Sequence, residues 1–240
     1  MAIVYREMDG YVAKVCMNNG ENLQDLDFAV SMNTVLEEAV ADSQTRAVVI
    51  TGTDPKFFSN GINVGWLGER FAAGQFRDIK DFCYGMDEVF KRLLLAPVPT
   101  IAAINGHAFG NGAILSCACD FRFMKSDRGF FCFPEVDLGI PFLPGMDAFI
   151  EKAIPRPKLN ELKLTGKRAT APELAMYHVI EQACDNAEHL MEKTMEFAGS
   201  FNKKRGIFAE HKRRMYQHII DIIDTKNPEH IDSLNLMVND

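Results

Sequence analysis

Between Thr100 and Gly145 the chain reads TIAAINGHAFGNGAILSCACDFRFMKSDRGFFCFPEVDLGIPFLPG, and no other stretch limits the possible folds so strongly. Thr100 to Ile104 is an apolar strand, and Gly110-Asn111-Gly112 is a glycine-bearing turn that opens a helix. A second strand follows, and then a lone carboxylate, Glu135, stands between Pro134 and an apolar run. Strand, glycine turn and helix together make an anion site, because the first N–H groups of a helix lack intrahelical partners and lie at the positive end of its dipole. A phosphate loop would need Gly-x-x-x-x-Gly-Lys-Ser/Thr or Gly-x-Gly-x-x-Gly, and Gly110-Asn111-Gly112-Ala113-Ile114 is neither. The nearby acid points instead to an oxyanion formed by removal of a proton.

The rest of the chain sets the frame. Ile3 to Met8 and Tyr11 to Met17 are β-rich runs around Asp9-Gly10, which predicts an opening hairpin. Leu23 to Asp42 carries Leu26, Val30, Met32, Val35, Leu36 and Val40 at near-helical spacing, and Ala47 to Thr51 reads as a strand buried on both faces. The segment from Gly52 to Val64 is turn-rich and offers a second group of free N–H donors near Gly61. A helix restarts near Val64 to Arg70, and another from Phe71 to Leu95 places Phe82, Met86, Val89, Phe90, Leu93 and Leu94 on one side before Pro97 and Pro99 stop it.

Beyond Gly145, helices are expected over Met146–Ala153, Lys158–Leu164, Ala171–Tyr177, Ala187–Phe201 and Phe208–Ile223, with Thr170 as an N-cap and Glu173 closing the capping box. The pattern is α/β: a core over residues 1–185 and a C-terminal helical lobe over residues 186–240 within one continuous domain. At 240 residues the length suits one sizeable core. A formal net charge of -7 argues against nucleic acid as a partner. The six cysteines lack a Cys-x-x-Cys spacing, so they read as buried thiols in a reducing compartment with no metal site. No apolar run reaches about 18 residues, so no membrane partner is expected. Ile3-Val4-Tyr5 follows no leader-like segment, and the expected location is cytoplasmic, or an organelle matrix if a targeting segment precedes this sequence.

Several blocks in order resemble the crotonase (enoyl-CoA hydratase/isomerase) family: Lys56-Phe57-Phe58-Ser59-Asn60-Gly61-Ile62-Asn63-Val64, then Pro99 to Gly112, Cys119-Asp120, Phe133 to Gly139, Leu164 to Lys167 and Ala169 to Ile180. The resemblance implies a crotonase-like spiral of ββα repeats followed by a helical lobe, assembled as a homotrimer or a dimer of trimers. It implies an acyl-CoA substrate and no separate cofactor, coenzyme A entering only as part of the substrate. The shared chemistry is stabilisation of a thioester enolate by two backbone N–H groups, which match Ile62 and Asn111 here. Donors of this kind contribute about 3–4 kcal/mol each in the transition state.

The acids discriminate among reactions. A hydratase of this family resembles a two-glutamate machine, and the matching positions are Ile114 and Glu135. Hydration needs one group to activate water and a proton donor beside it; moving a double bond needs one base that takes a proton from C2 and returns it at C4. The resemblance therefore implies a Δ3,Δ2-enoyl-CoA isomerase with Glu135 as its base, ahead of a hydratase, an acyl-CoA hydrolase or a non-catalytic acyl-CoA-binding scaffold. Burial among Phe131, Phe133, Val136 and Leu138 is expected to raise the Glu135 pKa.

The substrate-binding candidates are Lys56, Phe58, Asn60, Trp66, Gly110, Ile114, Phe133 and Leu138. Each aromatic has a plain reading as core, and Gly110 and Gly112 also suit close helix–strand packing. Lys56 and the cluster Lys212, Arg213, Arg214 are candidates for coenzyme A phosphates, although a charge run on a late helix is usually a solvated face. Asn63 stands where the family often has Asp. Asp120 reads as structural, satisfying backbone donors, and His107 as a turn residue.

Overall fold

In the computed structural model, which describes residues 2–238, β1 (Val4–Asp9) and β2 (Val12–Met17) form the opening antiparallel hairpin. Its turn is Gly10-Tyr11, with Asp9 paired to Val12 and Gly10 at φ 56°, so the reversal falls one residue later than Asp9-Gly10 suggests. A short β3 (Leu23–Gln24) leads into α1 (Leu26–Ala41), capped by Asp25, whose carboxylate accepts from the Phe28 amide. The helix buries Phe28, Ala29, Met32, Val35, Leu36 and Ala39, while Val30, expected inside, is exposed. The helical period puts residue 30 on the far side from 28, 32 and 35.

The next unit is β4 (Ala47–Gly52), β5 (Phe57–Ser59) and β6 (Gly61–Ile62), followed by α2 (Val64–Ala72) and α3 (Phe76–Leu95). Gly74, at φ 67°, separates the two helices, so the helix expected from Phe71 begins only at Phe76. Two further turns of the spiral are β7 (Thr100–Ile104), β8 (His107–Phe109) and α4 (Asn111–Ala118), then β9 (Phe121–Lys125), β10 (Phe131–Cys132) and α5 (Glu135–Leu138). The chain ends through α6 (Pro144–Ala153), α7 (Arg156–Thr165), α8 (Ala171–Met176), β11 (Gln182–Cys184), α9 (Ala187–Gly199) and α10 (Arg205–Ile231). Thr170 occupies the N-cap of α8 without a side-chain bond, and Glu173 pairs with Lys158 and Lys167 instead of closing a box.

The six-stranded sheet runs β1-β2-β4-β7-β9-β11, with β4, β7 and β9 given by successive turns of the spiral, and β5, β8 and β10 form a second sheet of three. Apart from the hairpin, every pairing within these sheets is parallel. Parallel strands with both faces covered read as unbroken apolar runs. In β4, Val48 and Ile50 face α1 and α3, while Ala47 and Val49 face Leu190 and Ala198 of α9. The helix α10 packs on α3 and α6, and α9 covers the outer face of the large sheet. No described helix is long and apolar enough to cross a membrane.

Candidate active site

The small sheet gathers the site. Because β5, β8 and β10 are parallel, their C-terminal ends lie at one edge, which is where open α/β sheets present ligands. From those ends the chain runs on into Gly61-Ile62, Gly110-Asn111 and Pro134-Glu135. The Gly110 amide donates to Cys132 O at 3.0 Å, which brings the Glu135 segment beside the start of α4.

Gly61 sits at φ 82°, and a Cβ there would stand 2.7 Å from Phe109 O and 3.2 Å from the Asn111 nitrogen. Only glycine allows the strand carrying Ile62 to come this close to the first turn of α4. The Asn111 amide opens α4, whose first intrahelical bond is Ile114 N to Gly110 O, so it has no partner within the helix. Just past β6 the Asn63 amide bonds Gln24 O at 2.8 Å, and alternation along the chain turns the Ile62 N–H away from β3.

Glu135 begins α5 behind Pro134. Its Oε1 packs against Gly110, and its Oε2 is buried with no hydrogen-bond partner. Burial pushes its pKa up to about 7, against weaker opposing pulls from its own backbone N–H and from Lys163. At neutral pH the carboxyl is therefore near the midpoint of its titration.

An apolar cleft with about 1080 Å³ of empty space, its mouth included, opens at this edge. Asn60, Ile62, Gly110, Asn111, Ile114, Glu135 and Leu138 all line it. Phe58 and Phe133 do not: both are fully buried in the main core, since alternation along β5 turns Phe58 inward and Phe133 stacks edge-on against Phe131 and Phe142. Trp66 stands outside the lining, its ring edge-on to Phe82, and Lys56 lies over the Phe57 ring. Sequence reasoning missed Leu67, Phe71 and Cys83 as walls, and above all Leu236 and Met237, which return from beyond α10 to close the cleft. The Val238 amide holds this return to Gly139 O at 2.8 Å. No pattern in the C-terminal residues themselves signals it.

The basic cluster on α10 resolves into separate roles. Lys212 is buried, donating to Asp120 Oδ2 at 2.7 Å and to Leu93 O at 2.8 Å, so it is no phosphate contact. Arg213 and Arg214 are both paired with Glu210. Asp120 also accepts from the Thr100 amide, which is the structural role expected of it. Asn63 caps α2 by accepting from the Trp66 amide, and His107 Nδ1 accepts from the Phe130 amide.

The parallel spiral thus sets one desolvated carboxylate, Glu135, against the main chain at the start of α4 and at the wall of an apolar cleft. Residues 7–231 match the sequence profile described as enoyl-CoA hydratase/isomerase, and the chain belongs to that family. It is 31% identical over 206 residues to enoyl-CoA delta isomerase 3 of Arabidopsis thaliana, covering 82% of this chain and 85% of the relative. Over 177 residues it is 33% identical to carnitinyl-CoA dehydratase of Escherichia coli strain K12, covering 74% and 65%. The fold is that of a crystal structure of enoyl-CoA hydratase from Bacillus halodurans, at a TM-score of 0.86 and 18% identity over 97% of this chain and 93% of that one.

Proposed function

We propose that this protein shifts the double bond of a 3-enoyl-CoA to give the 2-trans-enoyl-CoA. Glu135 takes a proton from C2, and the charge that moves onto the thioester oxygen is received by the amides of Ile62 and Asn111. The protonated Glu135 returns the proton at C4 of the dienolate, and the double bond ends between C2 and C3. One observation carries the reading: among the described residues, Glu135 is the only carboxylate lining the cleft, and the position that the resemblance matches to a hydratase's second acid is the buried, apolar Ile114. Hydration needs an acid and a base placed together; a single carboxyl that picks up and redelivers one proton suits isomerisation. The apolar walls keep competing water away from the dienolate. A trimer or a pair of trimers is the assembly proposed, in the cytoplasm or an organelle matrix.

The test is incubation with 3-enoyl-CoA thioesters of several chain lengths, following the absorbance of the conjugated product. Glu135→Gln should lower kcat by about 10²–10⁴-fold. Turnover at the parent rate in that variant removes Glu135 from the mechanism. Water addition to 2-enoyl-CoA at a comparable rate would favour a hydratase, and tight coenzyme A binding without any turnover a scaffold.

A further inference from the structure

Behind the two amides runs a buried chain of side-chain hydrogen bonds with a fixed direction. Ser59 Oγ donates to Asn22 O at 2.7 Å, so it can only accept from its other neighbours, the Gly61 amide at 3.2 Å and Gln24 Nε2 at 3.1 Å. With Nε2 committed to Ser59, the Gln24 Oε1 is left to accept from Asn111 Nδ2, at 2.6 Å. Gln24 and Ser59 are fully buried and Asn111 nearly so, which shields the chain from water. Gln24 lies on β3, outside both segments that carry the amides, yet it reaches each of them. Through Ser59 it fixes the Gly61 peptide that precedes Ile62, and through the Asn111 side chain it fixes the first residue of α4.

We infer that Gln24 is a positioning residue that sets the separation and aim of the two oxyanion-binding amides. The inference rests on the proposed enolate chemistry. The geometry asks for a carboxamide, since the position must donate on one side and accept on the other; Leu offers neither and Glu only the acceptor. Preorganised donors lose their effect when they drift: a displacement of about 1 Å can cost about 10²-fold in rate.

The experiment compares the parent with Gln24→Leu and with Asn111→Ala, which keeps the main-chain N–H and removes only the tie. Each is saturated with a short 2,4-dienoyl-CoA, and the red shift of its absorbance reports how strongly the thioester carbonyl is polarised. Both variants should show a smaller red shift than the parent. Their kcat for 3-enoyl-CoA should fall about 10- to 100-fold with KM nearly constant, and the double variant should lose little more than either alone. Folded variants with the parent's red shift and kcat overturn the inference. A parent that produces no red shift overturns the oxyanion reading itself, and this inference with it. Should Gln24→Leu fail to fold, Asn111→Ala alone decides.

Discussion

Glu135 Oε1 lies 3.0 Å from the point where a Cβ on Gly110 would stand, so the carboxylate packs directly onto a bare main chain. Gly110 itself adopts φ 51° and ψ -126°, a region open to glycine and costly for other residues. The same glycine thus turns the chain into α4 and makes room for the acid. Gly110→Ala should destabilise the fold by about 1–3 kcal/mol. It should also lower the proposed isomerase activity well beyond the loss of folded protein, because the new methyl displaces the carboxylate; urea unfolding and kcat measured on the folded fraction separate the two effects.

In the proposed mechanism Glu135 is the base, and its raised pKa should give activity an acid limb. The base form is the working form, so kcat/KM should rise with pH and level off above about 7. Stability should move the other way: the neutral carboxyl is the form burial favours, so its contribution is full below the ordinary value of 4.5 and is lost as pH rises through about 7. Glu135→Gln should therefore gain in urea midpoint relative to the parent at about pH 8.5 and much less at about pH 5.5. A pH-independent rate across that range would contradict the assignment.

In the proposed reading Ile114 stands where a hydratase of this family would carry its second acid. Ile114→Glu should add measurable hydration of 2-enoyl-CoA, about tenfold or more above the parent's background. The buried carboxyl should cost about 1–3 kcal/mol of stability. A folded Ile114→Glu with unchanged hydration would show that acid identity there does not decide the reaction.

Lys212 and Asp120 form an ion pair with side-chain exposures of only 5% and 10%. Removing one partner strands the other charge in the interior, so Lys212→Met should destabilise by about 3–5 kcal/mol. KM for coenzyme A thioesters should stay within about twofold of the parent once folded protein is counted, because an ion pair inside the fold makes no contact with substrate. Thermal or urea unfolding and substrate saturation curves check the two halves.

Met237 and Leu236 close the cleft from the C-terminal side. Met237→Ala should extend the accepted acyl chain, shifting kcat/KM toward longer substrates by about 10-fold or more, the scale of one or two methylenes in an apolar pocket. A panel of 3-enoyl-CoA lengths measures it.

Much of this architecture is written locally. The unbroken apolar runs of β4 and β7, the buried side of α3 and the strand–glycine–helix passage at Gly110 each follow from periodicity or turn chemistry over a few residues. The family blocks locate Ile62, Asn111 and Glu135, and the loss of an acid at Ile114 is visible as a residue type. Some local signals mislead on their own: Val30 is apolar but lies on the outer side of its helix, and Lys212, open in sequence to a phosphate contact or a solvated face, is buried against Asp120.

Other features arise only when distant segments meet. Parallel pairing of β5, β8 and β10 sets Gly61, Gly110 and Glu135 at one edge, although they are far apart in the chain. The desolvation of Glu135, the return of Met237 over the cleft and the reach of Gln24 to Ser59 and Asn111 likewise depend on which surfaces pack together. A side chain's type sets what it can donate, accept or ionise, and that is a property of the sequence. Its partner and its share of water are fixed by neighbours that folding supplies, and only the tertiary structure decides them.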